Sequence, residues 1–177
     1  MDTRKFFNRK SEGFYLSASR LDELKRIDIM IEAFIRNGKE LVIAGSGPDE
    51  KRLRQIAEGH ENIRFTGAAS EKELTGLYSR CTATLAAARD EDFGLVAVES
   101  MAAGKPCIAV NEGGFLETVK DGKSGVFFQP DMDSLNSAIE RAEKIKWNPK
   151  AIMKEAKKYD TRLFEKKMKR IARKVMH

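Results

Sequence analysis

Glu91 and Glu99 are two carboxylates with seven residues between them, set around Phe93-Gly94-Leu95 and followed by Met101-Ala-Ala-Gly104-Lys-Pro106. The Phe-Gly-Leu step is predicted to open a helix. A helix N-terminus offers unpaired N–H groups and a partial positive charge, which suit a phosphate. Glu91 precedes that terminus and Glu99 stands just beyond its first turn. An ionised carboxylate only accepts hydrogen bonds, so beside a phosphate it needs donors from elsewhere on a ligand, and sugar hydroxyls supply them. The spacing reads as a nucleotide-sugar site, with a diphosphate on the helix end and a carboxylate for each sugar. Favourable interaction with the macrodipole accounts for one glutamate but not for the whole run.

Further candidates lie on strand-exit loops. Arg20 and Lys25, in Ser19-Arg-Leu-Asp-Glu-Leu-Lys25, are two cations five residues apart that can clamp a diphosphate. Gly45-Ser-Gly47-Pro48 follows a strand; a dinucleotide fingerprint would need a glycine at the position held by Glu50, so NAD is disfavoured. These glycines serve equally well to approach a diphosphate or to make a plain turn. Gly67 ends another strand, with the same two readings. Gly122-Lys-Ser124 imitates the end of a phosphate-binding loop, but Glu117 stands where its first glycine belongs and a strand follows, which excludes it.

The elements that position these residues follow from periodicity. Short apolar runs over 14–19, 40–44, 62–66, 81–85, 107–110 and 125–128 predict six strands. Helical patterns intervene over 28–35, 49–58, from a capping box at Ser70 and Glu73, from 95 to a stop at Gly104 and Pro106, near 115–119 and over 132–145. A last helical stretch over 149–175 carries apolar residues at Ile152, Ala156, Tyr159, Leu163, Met168, Ile171 and Val175, with a break near Asp160-Thr161. The expected fold is a doubly wound, parallel, six-stranded α/β sheet of Rossmann-like type with a C-terminal amphipathic helix.

Composition narrows the function classes. The chain has 177 residues, 41% hydrophobic and 34% charged, which suits one globular domain. No apolar run approaches the roughly 18 residues of a membrane helix. Cys81 and Cys107 lie in apolar segments without metal-ligand spacing, and His60 and His177 are isolated, so buried thiols and no metal site are expected. With no signal-peptide core near its start, the chain is expected to be cytoplasmic. Its formal charge of +6 is uneven: residues 141–177 hold 14 Lys and Arg against 4 Asp and Glu, and the other 140 hold 19 against 23. A body of −4 without interleaved aromatics argues against nucleic acid. The basic tail is a docking helix or a peripheral contact at the inner membrane face.

The motifs and their order resemble the retaining glycosyltransferases of GT-B architecture, of the family 4, group 1 type that includes mannosyltransferases. The likeness runs from about Asp2 to Phe164 and rests on Glu91-x₇-Glu99, Gly45-x-Gly47-Pro48, and Arg20 with Lys25. It implies one half of a GT-B fold, the donor-binding domain, at 14–148. Residues 1–13 would be the remnant of an interdomain linker, and 149–177 a helix packing on this domain or on an absent acceptor domain. It implies Glu99 on ribose, Glu91 on the donor hexose, the amides of Gly94 and Leu95 beside Phe93 on the phosphates, and Gly67 near the base. The implied partners are a GDP-sugar or UDP-sugar donor and a sugar or lipid-linked acceptor, with no cofactor and no metal. Transfer of mannose or glucose with retention is expected, with little or no turnover by this chain alone. A noncatalytic nucleotide-sugar module and a GT-B epimerase or phosphorylase stay open. Departures are Ser19 and Arg26 where glycines are usual, Ala87-Ala88 for Pro-Ser, and Ser100 for Ala.

Overall fold

The computed structural model describes residues 1–175. Four-residue apolar segments form β1 (Tyr15–Ala18), β2 (Leu41–Ala44), β5 (Cys107–Val110) and β6 (Gly125–Phe128). They are joined by β3 (Ile63–Gly67) and the three-residue β4 (Thr84–Ala86). All pair in parallel in the order β3-β2-β1-β4-β5-β6, the doubly wound arrangement expected from the sequence. β1, β2, β4 and β5 are buried throughout, whereas β3 alternates, as an edge strand with one wet face does.

Successive strand residues point to opposite faces of a sheet. On one face Tyr15, Leu41, Ile43 and Ile108 pack with α1 (Ile27–Asn37) and α6 (Met132–Lys144). On the other, Leu16, Val42 and Ala44 meet Leu77, Tyr78 and Cys81 at the end of α3 (Glu71–Arg80). α3 starts with the expected capping box of Ser70 and Glu73. α2 (Glu50–Ile56), α4 (Leu95–Ala102) and the single turn α5 (Phe115–Thr118) fill the remaining crossovers.

One boundary differs from the sequence reading, and one expected break is found. Cys81 is not in a strand: its amide closes α3 on the Leu77 carbonyl, and pairing toward β1 begins after it, where the Thr82 amide donates to Phe14 and the Leu16 amide to Ala83. The last stretch is two helices, α7 (Pro149–Ala156) and α8 (Thr161–Val175), joined by a 3-10 turn over Lys157–Tyr159. Asp160 breaks it because its carboxylate caps the Arg162 amide and accepts from the Thr3 amide and hydroxyl. α7 buries Ile152 and Ala156 on Val98, Met101 and Ala102 of α4, whereas Phe164, Met168 and Ile171 of α8 are exposed. No described helix is long and apolar enough to cross a membrane.

Candidate functional site

β1 and β4 are neighbours whose crossovers leave in opposite directions. In open α/β sheets such a switch point creates the crevice beyond the carboxyl ends of the strands. The loops leaving β1, β2 and β4 meet there.

The β1 and β2 exits are zipped together by backbone. The Ser19 amide donates to Ala44, the Leu21 amide to Ser46 and the Asp49 amide to Leu21, at 3.1, 3.0 and 3.0 Å. A Cβ on Gly45 would lie 1.9 Å from the Ser19 carbonyl oxygen, and one on Gly47 would lie 2.1 Å from that of Leu21. Close passage of two chains therefore requires both glycines. Gly67 differs: its φ of +70° is left-handed and the space around it is open, while its carbonyl accepts from the Gly45 amide at 2.8 Å. Gly45, Ala18, Ser19, Ala68 and Leu74 line a cleft of about 290 Å³. Arg20 stands at this cleft, its side chain 72% exposed and its Nε 3.8 Å from the Asp22 carboxylate.

Lys25 pairs with a different carboxylate from Arg20. Lys25 ends a 3-10 turn over Glu23–Lys25, and its Nζ lies 3.2 Å from Oε2 of Glu91. The other Glu91 oxygen accepts from the Gly94 amide at 3.2 Å. Glu91 thus caps the start of α4. Ala97 is the first amide to bond back within the helix, at 3.0 Å to the Gly94 carbonyl. The Leu95 and Val96 amides precede it, where an anion is favoured. The Phe93 ring packs edge-on against Tyr159 at 5.6 Å.

Glu99 lies further along α4 and accepts from the Tyr78 hydroxyl at 2.6 Å. Tyr78 is wholly buried and Phe6 packs edge-on against it at 5.7 Å. Burial pushes the Glu99 carboxyl above its ordinary value, against the opposing pull of the tyrosine hydrogen bond. The Tyr78 phenol is raised by its own burial and by the Glu99 charge, so it stays a donor.

Three positioning features escaped the sequence reading. Tyr78 gave no local signal. Gly113 and Gly114 form no motif in the sequence, yet the Gly114 amide holds the Glu91 carbonyl at 2.7 Å, and a Cβ on Gly114 would fall 2.5 Å from the Asp92 carbonyl oxygen. Arg26, where the resemblance implies glycine, adopts φ +48° and spans to Glu112 with 2.8 Å between Nη1 and Oε2. Ser19, the other substituted glycine, keeps ordinary φ; among the described non-glycine residues only Arg26 and Asp90 have φ above zero. Among the described residues no three His, Cys, Asp or Glu side chains group as a metal site.

Known proteins share this frame. The UDP-N-acetylglucosamine–peptide N-acetylglucosaminyltransferase GtfA subunit of Streptococcus pneumoniae is 31% identical over 133 residues, 72% of this chain and 26% of its own length. Glycogen synthase of Mycobacterium tuberculosis is 38% identical over 106 residues, 58% of this chain and 26% of its own. Anabaena HepE, solved in complex with UDP-glucose, superposes with a TM-score of 0.82 at 21% identity, over 98% of this chain and 56% of its own. The chain thus spans about a quarter of the length of those two relatives, and its sheet is one half of the GT-B architecture. A family model described as glycosyl transferases group 1 matches residues 2–159. Little of the sequence falls outside that match, and the chain belongs to the glycosyl transferases group 1 family.

Proposed function

We propose that this chain is the donor-binding half of a retaining hexosyltransferase and that its crevice takes a nucleoside diphosphate sugar. The observation that carries the reading is the Glu91, Lys25 and Gly94 cluster at the start of α4, with Glu99 further along the same helix. In this reading Glu99 accepts from the ribose and Glu91 from the hexose. The amides of Gly94 and Leu95, beside Phe93, hold the diphosphate together with Lys25 and Arg20. The loop at Gly67 lies by the base, and Gly45 and Gly47 let their loop approach the diphosphate or pack under it. The HepE complex supports a UDP-sugar, and a GDP-sugar suits the same donors.

In the reaction the bond between the anomeric carbon and the diphosphate oxygen breaks. A bond to an acceptor hydroxyl forms on the same face, and the hydroxyl proton is released. Cations and helix amides preorganised around the departing diphosphate supply the charge stabilisation, with no metal needed. The acceptor, a sugar or a lipid-linked sugar, sits on a second domain joined through residues 1–13, and the tail over 149–177 returns toward it. The reaction belongs in the cytoplasm, peripheral to the inner membrane face when the acceptor is lipid-linked. This chain alone binds donor and turns over little or nothing.

Calorimetric titration with UDP, GDP, ADP and their sugar conjugates tests the reading beside Glu99→Ala. One nucleotide should bind saturably, and the substitution should weaken it about tenfold or more, the loss of a charge-assisted hydrogen bond pair. Failure of every nucleotide to bind, even with the second domain attached, would overturn the assignment.

A further inference from the structure

Two of the groups assigned to the diphosphate, the Lys25 ammonium and the Gly94 amide, are already engaged. Both oxygens of Glu91 are used, one on the Lys25 ammonium and one on the Gly94 amide, each at 3.2 Å. The pair is mostly sheltered, with side-chain exposures of 29% for Lys25 and 23% for Glu91. The cavity that Lys25 and Glu91 line with Ser17, Ala87 and Phe115 has only about 20 Å³, the room of a single water. The Glu91 backbone has no room to withdraw. Its carbonyl is fixed by the Gly114 amide, and any Cβ on Gly113 would strike that same carbonyl oxygen at 2.7 Å. A change in what Glu91 touches must come from its side chain.

We infer that Glu91 is a built-in competitor for the donor diphosphate, and that it thereby discriminates the intact donor from the spent nucleoside diphosphate. This rests on the donor-site reading above. A diphosphate that takes Lys25 and the Gly94 amide must displace a carboxylate from them. When a hexose is attached, its hydroxyls donate to the displaced carboxylate and replace the bonds it lost. When the nucleoside diphosphate arrives alone, the carboxylate loses an ammonium and an amide and gains no donor. The bare nucleotide is therefore penalised and the sugar conjugate is not, which favours release of product.

The test is calorimetry of UDP, UDP-glucose, GDP and GDP-mannose on the full chain, on Glu91→Gln, on Lys25→Met and on the double variant. The amide oxygen introduced by Glu91→Gln still accepts from the Gly94 amide, so the start of α4 is kept, and thermal melts check the fold. Glu91→Gln should bind the bare nucleotide about 3–10-fold more tightly, the scale of a partly sheltered ion pair. Its preference for the sugar conjugate should fall by at least that factor. In the Lys25→Met background the tightening should drop below about twofold, because the competing pair is already gone. Unchanged or weaker binding of bare nucleotide by Glu91→Gln, while Glu99→Ala still loses binding, would overturn the competitor and leave the donor site standing. No binding of any nucleotide to any variant would overturn both.

Discussion

Glu99 is held between burial, which favours its protonated form, and the Tyr78 hydroxyl, which favours its charge. Burial prevails, so its folded pKa lies above the ordinary 4.5. A carboxyl raised in the folded state contributes stability that is present below the unfolded pKa and is lost as pH rises through the folded one. Glu99→Gln does not titrate, so its melting temperature relative to the parent should climb as pH rises from about 4 to about 7. Thermal melts of both proteins across that range check it; a constant difference would mean that Glu99 titrates alike in the folded and unfolded chain. Both glutamates were readable from sequence because a charge beside a helix start is a local pattern. Tyr78 was not, because its partner lies 21 residues away and the contact exists only once α3 lies beside α4.

Among elements, the glycine loops divide by what makes them glycine. Gly47 is constrained by a neighbouring backbone and Gly67 by its own φ. The sequence marks both as turns but cannot tell these apart, since proximity depends on which strand passes alongside. The consequences differ. Gly67→Ala should cost about 1 kcal/mol, the strain of a left-handed alanine in open space. Gly47→Ala should cost about 3 kcal/mol or more, because the β1 and β2 exits must part and give up the Leu21 and Asp49 amide bonds. Urea denaturation of the two variants separates them, and equal losses would show that the loops yield easily. The same limit explains the boundary that differs. The apolar pattern places Cys81 in a strand, but three-dimensional pairing gives its amide to α3. Arg26 shows the reverse case: a residue poorly suited to its backbone is kept where its side chain reaches Glu112.

At the scale of the molecule, charge and packing part at Asp160. α8 carries seven Lys and Arg against one Glu, a net +6 equal to the formal charge of the whole chain, whose remaining residues balance at 26 of each sign. α7 is seated on α4, whereas Phe164 of α8 is 63% exposed and Met168 and Ile171 are about half exposed. Helix stability comes mostly from burying an apolar stripe, and the described part of this chain offers α8 little to bury against. What anchors it is its first residue: the Thr161 amide and side chain meet Met1, and Asp160 before it holds Thr3. Ending the chain after Asp160 should therefore change unfolding free energy by less than about 1 kcal/mol, keep α7 and the Glu91 cluster intact, and leave nucleotide binding within about twofold. It should also abolish retention on a cation exchanger near neutral pH, since the net charge falls to zero. A truncated chain that melts far lower would make α8 part of this domain's own core. One that folds and binds unchanged would leave the exposed stripe to the proposed second domain, where protection of Phe164 and Ile171 on joining the two halves would be the matching observation.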